Sequence, residues 1–544
     1  MRHLHWLKVL LSLLLVICTS FLLCACPMAT VPGGKDTPGG DDKPSGDDTP
    51  GDDDTPGGND TPGGDDTPGG DDTPTVTPET YGNGAPVKGG GATIAEGAFA
   101  LTATTYDPAA ATEVAANAFF RTHNKQPGQV FRVNDGKTVT VSGAANQIYN
   151  GGGAVLIAPQ GVVIEGCGKV TIENVVIIGS VTVKGCESLT MEQVEIVSEG
   201  TALAVDAATS GFQMNDCRLS GKTALSLDAA DSVILYSYLS FTENGLVDTA
   251  AAGTSLHHCV LEGSGTGIQS VARACDMRNN TLRLTPESVG FSLGAGVVNG
   301  LLALNVVEGA QTSVQLNGVD NTAVILNSLV SVEANDSKHL YVCDNSLGGR
   351  LTANNNDYIL ADGNTYPADG FDHATLQEGN TNHNGDGLTD VNARLEVGAD
   401  EALLPHVDKE LFVGAPRMEA VKDVLTGTET AVAAYILERS QTEEYVILAP
   451  GAYSTGVTMD FNSSHNNTKI YGYGAYIERD TDLSRQMGFF GAENIAVKGL
   501  TLGFKQQSCG QVYVLEKLGY QNGKLTVRVI TGAGMMNEFG NTNT

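Results

Sequence analysis

Pairs of apolar residues five positions apart recur through the middle of the chain, and each pair usually encloses small or polar residues. The first members of successive pairs lie 18 to 25 residues apart. A second series of short apolar segments repeats in phase with the first, at intervals of 21 to 23 residues. Repeats of this length predict stacked coils, because a single coil cannot bury its own apolar face. The pairs are Ile172/Ile177, Met191/Ile196, Met214/Leu219, Ile234/Leu239, Leu256/Leu261, Met277/Leu282, Leu302/Val307, Val324/Leu329 and Val342/Leu347.

The fourth position within each pair changes character along the chain. It is apolar or small in the first coils and asparagine at Asn280, Asn305, Asn327 and Asn345. We expect these asparagines to form an internal ladder, in which each side-chain amide bonds to the amide of the next coil. Because stacked strands lie about 4.8 Å apart, nine coils would form a core roughly 40 Å long.

These repeats resemble the right-handed parallel β-helix of the pectate-lyase-like superfamily over roughly residues 130 to 350. The resemblance implies an all-β solenoid fold. It leaves the activity open, because folds of this kind carry many unrelated sites.

Both flanks of the repeats suggest further elements. Asp107-Pro108 and the residues up to Phe120 predict an N-capped helix that closes the open end of the coil. Thr426 and Glu429 predict a capping box before a second helix. The segments 446–453, 468–475 and 495–500 then resemble the entry to a second pectate-lyase-like β-helix. The Asn522-Gly523 pair predicts a β-hairpin. Because no cap follows the second β-helix, we expect the chain to be the front part of a longer protein.

The amino terminus predicts export to a bacterial cell surface. A basic segment precedes an apolar run from Val9 to Leu23, which has the length of a signal-peptide core. The sequence Leu23-Cys24-Ala25-Cys26 resembles a lipobox, so we expect cleavage after Ala25 and a lipid anchor at Cys26. An uncleaved membrane anchor is the alternative, although the apolar run is shorter than the roughly 20 residues of a usual span.

A proline-punctuated repeat rich in glycine and aspartate extends from Gly33 to Pro74. It has no apolar residue able to seed a core, so it predicts a disordered tether. The net charge of −32 argues against nucleic acid as a partner. The predicted organisation is a signal peptide at 1–25, a tether at 26–79, a β-helix domain at 80–396, a linker at 397–425 and the start of a second β-helix at 426–544.

The cysteines do not suggest a disulfide framework, even though the chain is expected to be exported. Seven remain after the signal peptide and the lipidated cysteine are set aside, which is an odd number. Cys167 and Cys186 lie 19 residues apart, each after a glycine, and predict a stacked pair of free thiols. Cys217 and Cys259 occupy the inward ladder column, where a small apolar side chain packs well.

Asp206, Asp228 and Asp248 follow the second apolar series on three consecutive coils. Their carboxylates could hold a calcium ion that bridges to an acidic sugar, or could supply the paired carboxylates of a glycosidase. Alternatively, each aspartate caps the turn that begins there. No lysine or arginine lies in this column to serve as the base of a lyase.

The loop from residue 382 to residue 390 resembles the opening of an EF-hand or dockerin calcium loop. Its candidate ligands are Asn382, Asn384, Asp386 and Asp390. Position 12 of the motif is Ala393, where a bidentate acid belongs. A weak calcium site and an ordinary polar turn therefore both remain open.

Three functional classes are consistent with these features: a carbohydrate-active enzyme, a binding protein and a passive spacer. The single tryptophan, Trp6, lies in the signal segment, so the usual sugar-stacking platform is missing, although tyrosine can substitute. A long regular face is sufficient for binding without turnover. We therefore expect a surface-anchored β-helix protein that associates with polysaccharide or another extended extracellular ligand. A polysaccharide lyase or glycoside hydrolase of the pectate-lyase-like superfamily is the alternative.

Overall fold

The computed structural model describes residues 106–122, 124–367, 432–479 and 486–504. It also gives the backbone of five short strands, Thr93–Ile94, Ala374–Leu376, Glu410–Leu411, Val514–Gln521 and Lys524–Ile530. Most of the described chain forms one continuous sheet of 30 strands. Every pairing within that sheet is parallel and joins one coil to the next, so the predicted all-β parallel solenoid is confirmed.

Each coil contributes up to three strands, which form three stacks along the solenoid. Five long strands bend from one stack into the next: Gln147–Ile157, Lys169–Ile178 and Ser188–Val197 from the first to the second, and Arg218–Leu227 and Tyr238–Asp248 from the second to the third. The first stack is completed by Gln213–Asn215, Val233–Leu235, Ser255–His257, Asp276–Arg278, Leu301–Ala303, Asp320–Ile325, Lys338–Cys343 and Asp357–Asp362.

The other two stacks follow the same order in each coil. The second stack also contains Thr112–Val114, Val130–Val133, Val260–Gly263, Thr281–Leu284, Val306–Glu308, Ser328–Leu329 and Ser346–Leu347. The third also contains Val139–Ser142, Val162–Glu165, Val181–Lys184, Thr201–Val205, Thr266–Ser270, Val289–Leu293, Thr312–Asn317, Val332–Asn335, Leu351–Asn354 and Ala374–Leu376. Inward residues of all three stacks, such as Leu219, Leu261 and Phe291, are fully buried.

A sharp corner joins the first stack to the second in each coil. One residue per coil adopts a left-handed backbone there, for example Asp216 with φ of 51° and His258 with φ of 55°. The residue after it points inward and forms the ladder. Asn280 Nδ2 donates to Asn305 Oδ1 at 3.0 Å, and the pattern continues through Asn327 and Asn345, as predicted.

The ladder is longer than the run of asparagines predicted from sequence. Asn345 Nδ2 donates to Asn364 Oδ1 at 3.0 Å, which adds a final member. Towards the amino terminus, the Cys259 N–H donates to Asn280 Oδ1 at 2.9 Å, and the Ser237 N–H contacts Cys259 Sγ at 3.4 Å. Smaller side chains therefore continue the same column.

The predicted amino-terminal capping helix is wrong. Asp107 does accept a hydrogen bond from the Ala109 N–H at 2.9 Å, but it caps only the 3-10 turn Pro108–Ala110. The strand Thr112–Val114 follows and pairs with Val130–Val133, and a second 3-10 turn covers Phe119–Arg121. Pairing with the first full coil has overridden the local helix propensity.

The downstream segment begins with the one α-helix of the described residues, α1, at Val432–Arg439. Parallel strands follow in three short stacks: Tyr445–Ile447, Lys469–Tyr471 and Ala496–Lys498; Gly451–Thr455, Ala475–Arg479 and Thr501–Phe504; Met459–Asn462 and Met487–Phe490. A 3-10 turn covers Ser463–His465. The strands Val514–Gln521 and Lys524–Ile530 pair antiparallel around Asn522-Gly523, which confirms the predicted hairpin. We name residues 432–504 the downstream coils.

The downstream coils dock against the corner of the long solenoid. Leu301, Ala303 and Ile325 on the outer side of the first stack are buried against Ile447 and the tyrosines at 471 and 473. Polar contacts surround this apolar patch. Lys498 Nζ lies 2.7 Å from Asp344 Oδ1, and Asn321 Nδ2 donates to the Gly474 carbonyl at 3.2 Å. The two sets of coils therefore share a buried interface, which the repeat pattern did not predict.

Several predicted features lie outside the described residues. These are the signal peptide with Cys26, the tether, the linker at 397–425 apart from Glu410–Leu411, the capping box of Thr426 and Glu429, and the calcium loop with Asn382, Asn384, Asp386 and Asp390. Among the residues that are described, no helix has the length and apolar character needed to span a membrane. The short strand Thr93–Ile94 pairs in parallel with Glu410–Leu411.

Candidate functional site

The register of the third stack separates the three aspartates predicted to form one column. Val205 pairs with Leu227, and Leu227 pairs with Asp248, so Asp206 and Asp228 are neighbours and Asp248 lies one position earlier. This expectation of one aligned column is therefore wrong. Because alternate residues of a strand face opposite sides, the shift turns Asp248 towards the interior.

Asp206 and Asp228 reach the surface, where both make local contacts. Asp206 Oδ1 accepts hydrogen bonds from the Gly185 N–H at 2.9 Å and from Thr209 Oγ1 at 2.8 Å. Asp228 Oδ1 accepts one from Thr249 Oγ1. Of these three bonds, the one from Thr209 lies within the turn that follows Asp206, and the other two join neighbouring coils. A role in ligand binding stays a prediction.

Asp248 is buried inside the solenoid, where its carboxyl group is 1% exposed. It accepts hydrogen bonds from Ser270 Oγ at 2.9 Å, Thr254 Oγ1 at 3.1 Å and the Ala250 N–H at 3.2 Å. Burial raises its pKa to about 6, although these three donors oppose the shift. Asp248 therefore serves the packing of the turn and is not positioned to contact a ligand outside.

Two outward columns of the third stack carry no charged side chain over six successive coils, and the exposed ion pair of Lys222 and Glu243 lies directly before one of them. We name this surface the polar face. Apart from buried Thr312, its side chains are half-buried or exposed, and most carry a hydroxyl or an amide group. They form two columns, Thr201, Thr223, Asn244, Thr266, Val289 and Thr312 in one, and Ala204, Ser226, Val247, Gln269, Ser292 and Gln315 in the other.

A charged residue marks one end of the polar face. At its carboxyl-terminal end Glu333 introduces a charge and accepts hydrogen bonds from Thr312 Oγ1 at 3.3 Å and Gln315 Nε2 at 3.4 Å. Asp206 and Asp228 border its edge because each follows directly on a strand of the third stack. Six coils at about 4.8 Å per interval give the face a length of roughly 24 Å.

A second polar cluster lies at the outer side of the corner and was missed by the sequence analysis. Glu192, Glu195 and Asp216 are all buried although their positions on the strands face outward. Glu192 pairs in register with Asn215, and Glu195 pairs with Arg218. We name Glu192, Glu195 and Asp216 the acidic corner.

Asp216 of the acidic corner has a perturbed carboxyl group. Burial raises its pKa to about 7, and the nearby Glu192 carboxylate adds to the effect. A hydrogen bond from Gln193 Nε2 at 3.1 Å opposes the shift. A carboxyl group that is partly protonated near neutral pH can act as a general acid. The only signal in the sequence was the run of acidic residues inside two successive apolar pairs.

Further along the corner, a buried ion pair contacts the downstream coils. Arg278 bonds Asp276 through both Nε and Nη2, at 2.6 and 2.7 Å, and its Nη1 donates to the Ile447 carbonyl at 2.9 Å. Burial alone would raise the pKa of Asp276, but Arg278 and His257 outweigh it and hold that pKa below its usual range. His257 Nε2 lies 3.4 Å from Asp276 Oδ1.

Within the described part of the chain, no three histidine, cysteine or acidic side chains are arranged to hold a metal ion. The candidate calcium ligands at 382–390 lie outside that part, so calcium binding there stays a prediction.

No family model matches the chain, and no curated protein sequence matches it. Solved structures do show local likeness. The surface adhesin PfbA of Streptococcus pneumoniae is 10% identical with a TM-score of 0.31, and the match covers 49% of this chain and 78% of the adhesin. A double mutant of the tailspike protein of E. coli bacteriophage HK620 is 10% identical with a TM-score of 0.25, covering 73% and 81%.

The Dettilon tailspike protein gp208 is 12% identical with a TM-score of 0.24, and the match covers 46% of this chain. The same match spans only 59% of the length of that tailspike. The protein is a parallel β-solenoid, with the polar face and the acidic corner as its candidate functional surfaces.

Proposed function

We propose that the solenoid associates with an extended, neutral polysaccharide along the polar face. The observation that carries this proposal is that nine of the twelve side chains in the two columns carry a hydroxyl or an amide group and none is charged. Such groups both donate and accept hydrogen bonds, as sugar hydroxyls do. A ligand with a high charge density finds no counter-charge within the two columns.

We expect the affinity for polysaccharide to come from similar contacts that are repeated on successive coils. A single hydrogen bond contributes about 0.5–1.5 kcal/mol net, so one sugar ring on one coil would bind very weakly. A chain that runs along the solenoid axis can make similar contacts on each coil, and the coil spacing of about 4.8 Å is close to the length of one sugar unit. Oligosaccharides that span several coils should therefore bind better than disaccharides.

We also propose that a lipid on Cys26 displays the solenoid at a bacterial cell surface. The support is the sequence Leu23-Cys24-Ala25-Cys26 after a signal-like apolar run. The charged, proline-rich tether that follows would hold the coils away from the membrane.

Affinity electrophoresis in gels that contain a neutral glucan, xylan, pectate or alginate tests the binding proposal. We expect retardation by a neutral polymer, and loss of that retardation in the Ser226→Arg, Ser292→Arg double variant, whose new side chains cover the polar face. A matched control is the Thr171→Arg, Thr190→Arg double variant, which places the same charges on the first stack. Equal retardation of both variants, or retardation by the acidic polymers alone, would refute the proposal.

A second candidate function is glycoside hydrolysis at the acidic corner. The specific observation in its favour is the pKa of Asp216, which burial raises to about 7 next to Glu192. One carboxyl acting as general acid and a second as base or nucleophile is the usual arrangement of glycosidases. Release of reducing ends that Asp216→Asn abolishes, without loss of gel retardation, would support it. Release of an unsaturated product that absorbs in the ultraviolet would instead indicate a lyase.

A further inference from the structure

Cys167 and Cys186 occupy equivalent positions on neighbouring coils. Glu165 pairs with Lys184 in the third stack, and each cysteine follows two residues later. The Glu187 N–H donates to the Cys167 carbonyl at 2.8 Å, so the parallel pairing continues past both cysteines. The glycine before each cysteine has φ of 58°, which gives the two side chains the same starting direction.

The two thiols also have matching surroundings. Cys167 Sγ lies 3.6 Å from the Val141 carbonyl and Cys186 Sγ lies 3.7 Å from the Ile164 carbonyl, and these two carbonyls are themselves partners in register. Both side chains are buried, burial raises the pKa of the Cys186 thiol, and the neighbouring Cys167 thiol raises it further.

Neighbouring strands place their Cα atoms at a separation that a disulfide can span. The strand spacing is about 4.8 Å, and disulfides join Cα atoms roughly 4.4–6.8 Å apart. A link between the two sulfur atoms would require the side chains to rotate about their Cα–Cβ bonds.

We propose that Cys167 and Cys186 form a disulfide that links two neighbouring coils when the chain folds in an oxidising compartment. Formation of the Sγ–Sγ bond removes two protons and two electrons from the thiols. A small-molecule disulfide such as glutathione disulfide accepts both and is released as two thiols. Because the folded solenoid buries both sulfur atoms, the exchange takes place during folding, before the coils close.

The chain contains its own comparison pair. Cys217 and Cys259 are also buried free thiols of one inward column, but Ser237 lies on the coil between them. Two coil intervals amount to roughly 9.6 Å, which is beyond the reach of a disulfide. These cysteines should stay reduced under conditions that oxidise Cys167 and Cys186.

The test is to refold the purified full chain from urea in a glutathione buffer in which the disulfide form predominates. The product is unfolded again in an alkylating agent and analysed by peptide mass spectrometry. We expect a peptide pair joined through Cys167 and Cys186, lighter by two hydrogen atoms than its reduced form, and alkylated Cys217 and Cys259. The joined pair should be missing in Cys167→Ser.

Alkylation of both Cys167 and Cys186 in protein that has regained its β-type circular dichroism would overturn the proposal. A glutathione adduct on either cysteine in place of the link would overturn it as well. An equal yield of a Cys217–Cys259 link would show that oxidation does not follow the coil geometry, and would also count against it.

Discussion

Replacing Asn305 by alanine should destabilise the solenoid far more than the loss of one small side chain suggests. The Asn305 amide donates to Asn327 Oδ1 at 3.0 Å and to the Met277 carbonyl at 2.9 Å. Its Oδ1 accepts from the backbone N–H and from Nδ2 of Asn280, both at 3.0 Å. All of these groups are buried, so water cannot replace the lost bonds without opening the coil.

The size of the effect follows from which groups are left without a partner. Asn327 Oδ1 keeps its bond from the backbone N–H of residue 305, and Asn280 Nδ2 keeps its bond to Leu256. The Asn280 N–H and the Met277 carbonyl lose the bonds that Asn305 provided. A buried polar group left unsatisfied costs roughly 1–3 kcal/mol, so we expect a total of about 4 kcal/mol.

Urea unfolding followed by circular dichroism measures this loss, and the chain offers a matched control. Asn335 Nδ2 donates to Asn317 Oδ1 at 3.2 Å, but that pair is exposed to solvent. Asn335→Ala should cost less than about 0.5 kcal/mol. Midpoints that fall by the same amount in the two variants would refute the view that the internal ladder supports the fold.

Four further predictions follow from other parts of the chain. Folding raises the pKa of Asp216 from 3.8 to about 7, so its contribution to stability is complete below pH 3.8 and is lost as the pH rises through 7. The free energy of unfolding, measured in urea at pH 4 and at pH 8, should therefore differ by up to about 4 kcal/mol less in Asp216→Asn than in the wild type. An equal difference in the two proteins would contradict the assignment. Arg278→Ala leaves the buried Asp276 carboxylate without its partner and should cost about 3–5 kcal/mol by thermal or urea unfolding, whereas a near-neutral effect would argue against docking through this pair. Cys26→Ala should abolish incorporation of labelled palmitate in growing cells, and equal labelling would exclude the lipid anchor. If the 382–390 loop binds calcium, millimolar calcium should raise the melting temperature of the wild type but not of Asp386→Ala. A wild-type melting temperature that calcium does not change would show that the loop is an ordinary polar turn.

The sequence predicts those parts of the fold that repeat from coil to coil. Pairs such as Met277/Leu282 mark inward positions on both sides of the corner, so the coils and the ladder column can be located by counting. Asn364 was missed because the residues that flank it, Ala361 and Tyr366, are not an aliphatic pair like those of the other coils, although both pack against the core. Asn364 Oδ1 accepts from Asn345 Nδ2, and Asn364 Nδ2 donates to the Val342 carbonyl.

Counting residues along the repeats gives the wrong result where a shift of one position turns a side chain to the opposite face of the strand. Asp206 and Asp228 lie three positions after Leu203 and Leu225, but Asp248 lies only two positions after Leu246. That difference turns its side chain into the core. The inward direction of Asp248 could have been predicted from the alternation of side chains along the strand. It was overlooked because the three fragments look alike.

The candidate surfaces depend on non-local packing that no repeat reveals. Glu192 lies on a strand and Asp216 at the left-handed position of the corner, and both are buried. One partner of Arg278 is the carbonyl of Ile447, which lies 169 residues further along the chain. Contacts of this kind require the three-dimensional arrangement of both sets of coils.

The most direct test of the proposed function is a crystal structure of the solenoid with the neutral oligosaccharide that binds it best. We predict sugar density that runs along the third stack, with about one ring per coil and hydrogen bonds to Ser226, Gln269 and Ser292. Density confined to the acidic corner beside Asp216 would contradict binding along the polar face and would favour the hydrolase.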